Sequence, residues 1–104
     1  MKAKILIVDD EVNTRDGIAR ALRSSGYEVS LAREGAQAID LLNQGTVDLM
    51  LTDLRMSGMG GLELIEKARE IDPSMKMIAF TAYGSVETAV EAMKRGAHDY
   101  LSKP

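Results

Sequence analysis

The sequence predicts a doubly wound α/β domain, with five parallel strands and helices on both faces of the sheet. Three observations carry that prediction. Short apolar runs alternate with helix-periodic stretches along the whole chain, the order that gives parallel strands joined by right-handed crossovers. The first run, Ile5-Leu6-Ile7-Val8, is continuous, as expected of a strand covered on both faces. Residues able to do chemistry stand where the runs end, at the edge where such sheets build their sites. The 104 residues suffice for one core and are too few for two, so 1–104 is one domain.

The elements follow in order. After Ile5–Val8, residues 12 to 25 have helical spacing in Arg15, Ile18, Ala19 and Leu22, and Gly26 is a good stop. Tyr27 to Leu31 is the second strand. Residues 35 to 44 form the second helix, closed by Gly45, and Val47 to Thr52 the third strand, interrupted by Asp48. Gly61, Leu64, Ile65, Ala68 and Ile71 trace a third helical stripe, which Asp72-Pro73 ends. Met75 to Phe80 is the fourth strand. Ser85 is an N-cap, with Glu87 well placed in the first turn. Val86, Ala89, Val90, Met93 and Ala97 form the cleanest amphipathic stripe in the chain, stopped by Gly96, and Asp99 to Leu101 begins the fifth strand. A doubly wound sheet usually covers its last strand with one more helix, which is missing here.

Composition narrows the function. Apolar residues make up 45% and charged residues 28%, with a net charge of -3; this is a globular composition, without the basic face that a duplex-binding surface shows. Direct nucleic-acid binding is not expected. The absence of cysteine excludes disulfides, thiolate metal sites and a cysteine nucleophile. Ile5–Val8 is too short for a signal-peptide core, and no stretch approaches transmembrane length. The expectation is a cytoplasmic protein without a membrane partner.

The strand ends bring a specific set together. Strand one ends in Asp9-Asp10, followed by Glu11; strand three in Asp53; strand four in Thr81; strand five in Lys103-Pro104. Each alone is an ordinary loop, cap or surface residue. Converging from four strands, carboxylates held together repel until one protonates or a cation joins them. Oxygen-only ligands favour a hard ion such as Mg²⁺, which binds readily beside phosphate oxygens. A metal next to a carboxylate permits attack on a phosphoryl group. Lys103 could pair with the phosphoryl oxygens, and the Thr81 hydroxyl could donate to another.

Ile7-Val8-Asp9-Asp10-Glu11, Thr52-Asp53-Leu54-Arg55-Met56, Thr81-Ala82 and Tyr100-Leu101-Ser102-Lys103-Pro104 resemble the receiver (CheY-like) domains of two-component response regulators. The stretch Thr81 to Pro104 is most similar to receivers of NtrC-type transcriptional activators. The resemblance implies a flavodoxin-like sheet of strand order 2-1-3-4-5. It also implies a signalling phosphoacceptor, not a turnover enzyme, that assists its own phosphorylation and dephosphorylation. Asp53 would take the phosphoryl group from a phosphohistidine on a sensor histidine kinase. Mg²⁺ would be held by Asp10, Asp53 and the backbone carbonyl of Arg55, with Asp9 acting through water. Lys103 would neutralise the phosphoryl group, and Lys103-Pro104 would be the family's cis peptide. Thr81 would be the switch hydroxyl and Tyr100 the switch aromatic, while Arg55 would tune the lifetime of the phosphoryl group. Helix four, strand five and the absent last helix would be read by an output domain outside this chain, controlling transcription.

The chain departs from the family pattern in three places. Ser57 stands where the family often has proline and Gly60 where it often has aspartate, so with Gly58 and Gly61 the loop after Asp53 should be looser. Without the last helix, apolar sheet surface would be exposed, and self-association, as a homodimer or by exchange of elements, is expected. A haloacid-dehalogenase-type phosphatase needs a second acid two residues after its nucleophile, where this chain has Arg55. A flavodoxin-like nucleotide binder needs a phosphate loop after strand one, where this chain has two acids. A receiver-like scaffold that is never phosphorylated remains the alternative.

Overall fold

In a computed structural model, residues 2–56, 58–82 and 84–103 are described. The chain runs β1 (Lys4–Val8), α1 (Val12–Ser24), β2 (Glu28–Ala32), α2 (Gly35–Gln44), β3 (Leu49–Thr52), α3 (Gly61–Ile71), β4 (Lys76–Thr81), α4 (Val86–Arg95) and β5 (Asp99–Ser102). The five strands are parallel, in the order β2-β1-β3-β4-β5. One face of the sheet packs on α2, α3 and α4 through Leu6, Val8, Leu42, Met50, Leu64, Ile65, Met77 and Ala92. On the other face Ile5 and Ile7 meet Ala19, Ile18 and Leu22 of α1. Three methionines, Met50, Met75 and Met77, are core residues, whereas Met93 is exposed.

The register aligns the strand ends. Val8 lies beside Thr52, and Thr52 beside Ala79. The ladder then runs one residue past each strand: Asp9 N–H donates to Ala32 O at 3.0 Å, Asp53 N–H to Val8 O at 2.9 Å and Lys103 N–H to Thr81 O at 3.1 Å. The backbones that carry the polar residues are therefore held as firmly as the strands, which suits a site needing fixed geometry.

Strand starts differ from expectation by one or two residues. Tyr27 precedes β2 and is exposed. Asp48 precedes β3, where its Oδ2 accepts the Lys4 N–H at 2.8 Å and its own N–H donates to Lys4 O at 2.9 Å. Thr81 is the last residue of β4, where the fourth strand is expected to end. Ser85 does cap α4, in a reciprocal box with Thr88. Gly26 and Gly96 hold positive φ, 92° and 131°, where an L side chain is strained. Gly45 closes α2 in extended backbone.

The apolar stripe of α3 packs inward through Gly61, Leu64, Ile65 and Ala68, with its last residue, Ile71, exposed; that of α4 is not used as its periodicity suggests. On α4, Val86 is 81% exposed, and Val90 and Met93 nearly half. That helix meets the core through Ala92 instead, and Ala97 beyond its end is also buried. Val86, Val90 and Met93 of that stripe thus face solvent, and Leu101 of β5 is exposed as well.

Candidate functional site

The carboxyl edge of the sheet brings Asp9, Asp10, Asp53 and Lys103 together. Oxygen atoms of the three carboxylates lie within 4.8 Å of one another. Asp9 and Asp53 are buried, at 2% and 5% exposure, and Asp10 is exposed. Lys103 reaches in from the other end of the chain. Its Nζ donates to Asp9 Oδ2 at 2.6 Å and to Asp53 Oδ2 at 3.0 Å. Burial works against the ammonium charge, but the two carboxylates outweigh it and hold Lys103 above its ordinary range. The Phe80 ring lies 5.9 Å from the same nitrogen, within cation–π reach.

The remaining oxygens are fixed by main chain. Asp53 Oδ1 accepts the Leu54 N–H at 2.7 Å and the Arg55 N–H at 3.3 Å. Asp9 Oδ1 accepts the Glu11 N–H at 2.9 Å. Asp53 is thus locked from both sides, and beneath it α3 begins at closest approach. A Cβ on Gly61 would stand 2.1 Å from the Asp53 carbonyl oxygen, so only glycine fits there. That carbonyl also accepts the buried Thr52 hydroxyl at 2.9 Å.

Glu11 does something composition does not reveal. Its carboxylate turns from the acidic cluster to cap α1, accepting the Asn13 N–H, the Thr14 N–H and the Thr14 hydroxyl. The Thr14 hydroxyl, then the two N–H groups, hold it below the ordinary carboxylate value. The metal-capable set is therefore Asp9, Asp10 and Asp53. It is oxygen-only, as a hard divalent cation requires. A cavity of about 550 Å³ opens onto it, bounded by Asp10, Glu11, Asp53, Arg55, Phe80 and Lys103.

Thr81 is buried at the same edge, while the Arg55 side chain is exposed. Tyr100 is half-buried, its hydroxyl 3.4 Å from Thr88 Oγ1 and its ring against Gly84. Gly60 is the N-cap of α3, without a side-chain bond. Ser57 and the Lys103–Pro104 peptide lie outside the described residues. Glu11 as cap, Gly61 as contact and Phe80 as floor went unread in the sequence. A glycine opening a helix just after a site acid is the signal for the second.

Comparisons with known proteins agree with this fold. Residues 5–104 match the family model described as response regulator receiver domain. The transcriptional regulatory protein ZraR of Klebsiella oxytoca is 44% identical over 100 residues, 96% of this chain and 23% of that protein; the chain spans about a quarter of that relative. A CheY-like receiver domain protein of Methanospirillum hungatei JF-1 superposes with a TM-score of 0.96 at 36% identity, covering 100% of this chain and 83% of that one. A Burkholderia pseudomallei response regulator, solved with a phosphorylated aspartic acid, calcium ion and citrate, does so at 0.95 and 32% identity, covering 99% and 61%. Among the described residues, no helix is long and apolar enough to cross a membrane. With its family match over residues 5–104 and its strand order β2-β1-β3-β4-β5, this chain belongs to the response regulator receiver domain family.

Proposed function

We propose that Asp53 is the phosphoacceptor of this receiver and Mg²⁺ its cation. The observation that carries the reading is the Lys103 ammonium, bridging Asp9 and Asp53 at 2.6 and 3.0 Å inside a cluster of three carboxylates. An Asp53 carboxylate oxygen attacks the phosphorus of a donor phosphohistidine. The new O–P bond forms as the P–N bond breaks, and the leaving imidazole nitrogen takes the electron pair and then a proton. Lys103, already 3.0 Å from Asp53 Oδ2, follows the developing charge onto the phosphoryl oxygens. Leu54 and Arg55 N–H groups keep Asp53 oriented. Asp10, Asp53 and the Arg55 carbonyl would hold the metal. Asp9 would act through water, since its oxygens already accept Lys103 and the Glu11 N–H. When bound, Mg²⁺ offsets the repulsion between carboxylate and phosphoryl oxygens. The phosphorylated aspartic acid and calcium ion of the Burkholderia structure support this assignment.

The aspartyl phosphate adds charge and acceptor oxygens. Thr81 turns toward them, the segment after β4 shifts, and Tyr100 changes position, biasing two conformations that already exist. Readout falls on α4 and β5, where Val86, Val90, Met93 and Leu101 stand exposed. Arg55 sets the lifetime of the acyl phosphate. The donor is a sensor histidine kinase, and the effector is an output domain of the transcriptional kind that ZraR's description names. The test is intact mass after incubation with acetyl phosphate, with and without Mg²⁺, beside Asp53→Asn. The expected result is gain of one phosphoryl group, dependent on Mg²⁺ and absent in the variant. No gain in a folded sample would overturn the assignment.

A further inference from the structure

Met77 is the second residue of β4, and its peptide faces β5 one step before that strand begins. Its carbonyl accepts the His98 N–H at 2.7 Å. Its own N–H points the same way, and Met77 is only 1% exposed, so an unpaired donor there is costly. The His98 ring takes that donor: Met77 N–H donates to Nδ1 at 3.1 Å. One residue closes both halves of a rung, with its main chain as donor and its ring as acceptor.

We infer that His98 is a proton-sensitive clasp on the β4–β5 edge of the sheet. Nδ1 accepts the Met77 N–H only while it carries no proton itself. The clasped ring is therefore neutral, with its hydrogen on Nε2. A doubly protonated ring sets N–H against N–H and must turn away, leaving the Met77 donor buried without its partner. The stabilisation is present while Nδ1 keeps its lone pair and is lost when the ring takes a second proton. Arg69 of α3 lines a cavity of about 260 Å³ with His98, Met77, Met93 and Gly96. The other charged groups are Lys76, beside Met77 on β4, Lys94 and Arg95 at the end of α4, and Asp99 on β5. Asp99 already commits Oδ1 to the Tyr100 N–H at 2.7 Å. The clasp stands at the opposite end of β4 and β5 from Thr81 and Lys103. It does not depend on which residue accepts a phosphoryl group.

The test is amide hydrogen exchange of Met77 in the full chain by NMR, at about pH 8 and about pH 5, corrected for the chemical exchange rate. With a single histidine, the imidazole nitrogen shifts report the tautomer directly. Expected are an Nε2–H ring at the higher pH and a fall in Met77 protection of at least about tenfold at the lower pH, with Leu6 in the central strand as reference. Met77 in His98→Asn, whose carboxamide accepts but does not titrate, should stay protected at both values. An Nδ1–H tautomer at the higher pH, undiminished protection at the lower, or the same fall in His98→Asn would each overturn the clasp.

Discussion

Replacing Gly61 by alanine tests whether the start of α3 sets the position of Asp53. The added Cβ would stand 2.1 Å from Asp53 O, 2.6 Å from Leu54 Cα and 2.9 Å from Asp53 C. All three neighbours are backbone, and real Cβ contacts stay above 3.0 Å. The two segments must therefore part by about 0.9 Å (3.0 less 2.1). Asp53 cannot yield freely, because its N–H is bonded to Val8 O and its carbonyl to the Thr52 hydroxyl. Overpacking costs roughly 1–3 kcal/mol, and alanine's helix propensity returns up to about 1, so the net loss should be at most about 3 kcal/mol. Displacing a nucleophile by about an ångström costs on the order of 10²-fold in rate. Time courses of acetyl phosphate labelling by intact mass, alongside urea titration, read both quantities. Gly60→Ala is the control, since its Cβ would meet Leu54 O at an ordinary 3.7 Å. A folded Gly61→Ala protein labelled within about threefold of the parent rate would refute the reasoning, because a backbone shift of this size should cost far more.

Further expectations concern neighbouring residues. Asp10→Asn removes one of three carboxylates within 4.8 Å, so the metal-free protein should gain about 1 kcal/mol, while the rise in thermal midpoint on adding Mg²⁺ should shrink; unchanged melting with and without the ion would count against a shared site. Gly84→Ala would put a Cβ 1.4 Å from the Tyr100 hydroxyl and should expel the ring from its contact with Thr88; it should lower the melting temperature in the parent but not in a Tyr100→Ala background, and equal effects in both would disprove the contact. Glu11 is held below its ordinary 4.5, first by the Thr14 hydroxyl. It therefore adds stability above that value and loses it as pH falls through the lowered one, so Glu11→Gln should flatten the acid limb of a plot of urea midpoint against pH.

The sheet was legible because its central strands are apolar runs that end on polar residues, and because parallel strands share one carboxyl edge, which placed Asp9, Asp53, Thr81 and Lys103 together. What stayed hidden depends on distance in three dimensions. A periodic stripe says that a helix has an apolar face, not what that face meets; on α4 the small Ala92 packs inward and Val86 and Val90 face outward. Counting acids at a strand end cannot tell a metal ligand from a helix cap, and Glu11 is the cap. The closeness of Gly61 to the Asp53 carbonyl comes from α3 docking under the strand end, of which the sequence carries only the glycine and not the distance.

Lys103 is 94 residues from Asp9 and 50 from Asp53. Closing loops of that length comes late and slowly in folding, since chain entropy must be overcome before the contact stabilises anything. Until β5 adds to the edge of β4, Asp9 and Asp53 have no lysine between them and repel. On the proposed assignment, the reactivity of Asp53 therefore waits on β5 joining the sheet, and a chain in which β5 has not yet docked would present an aspartate without its lysine.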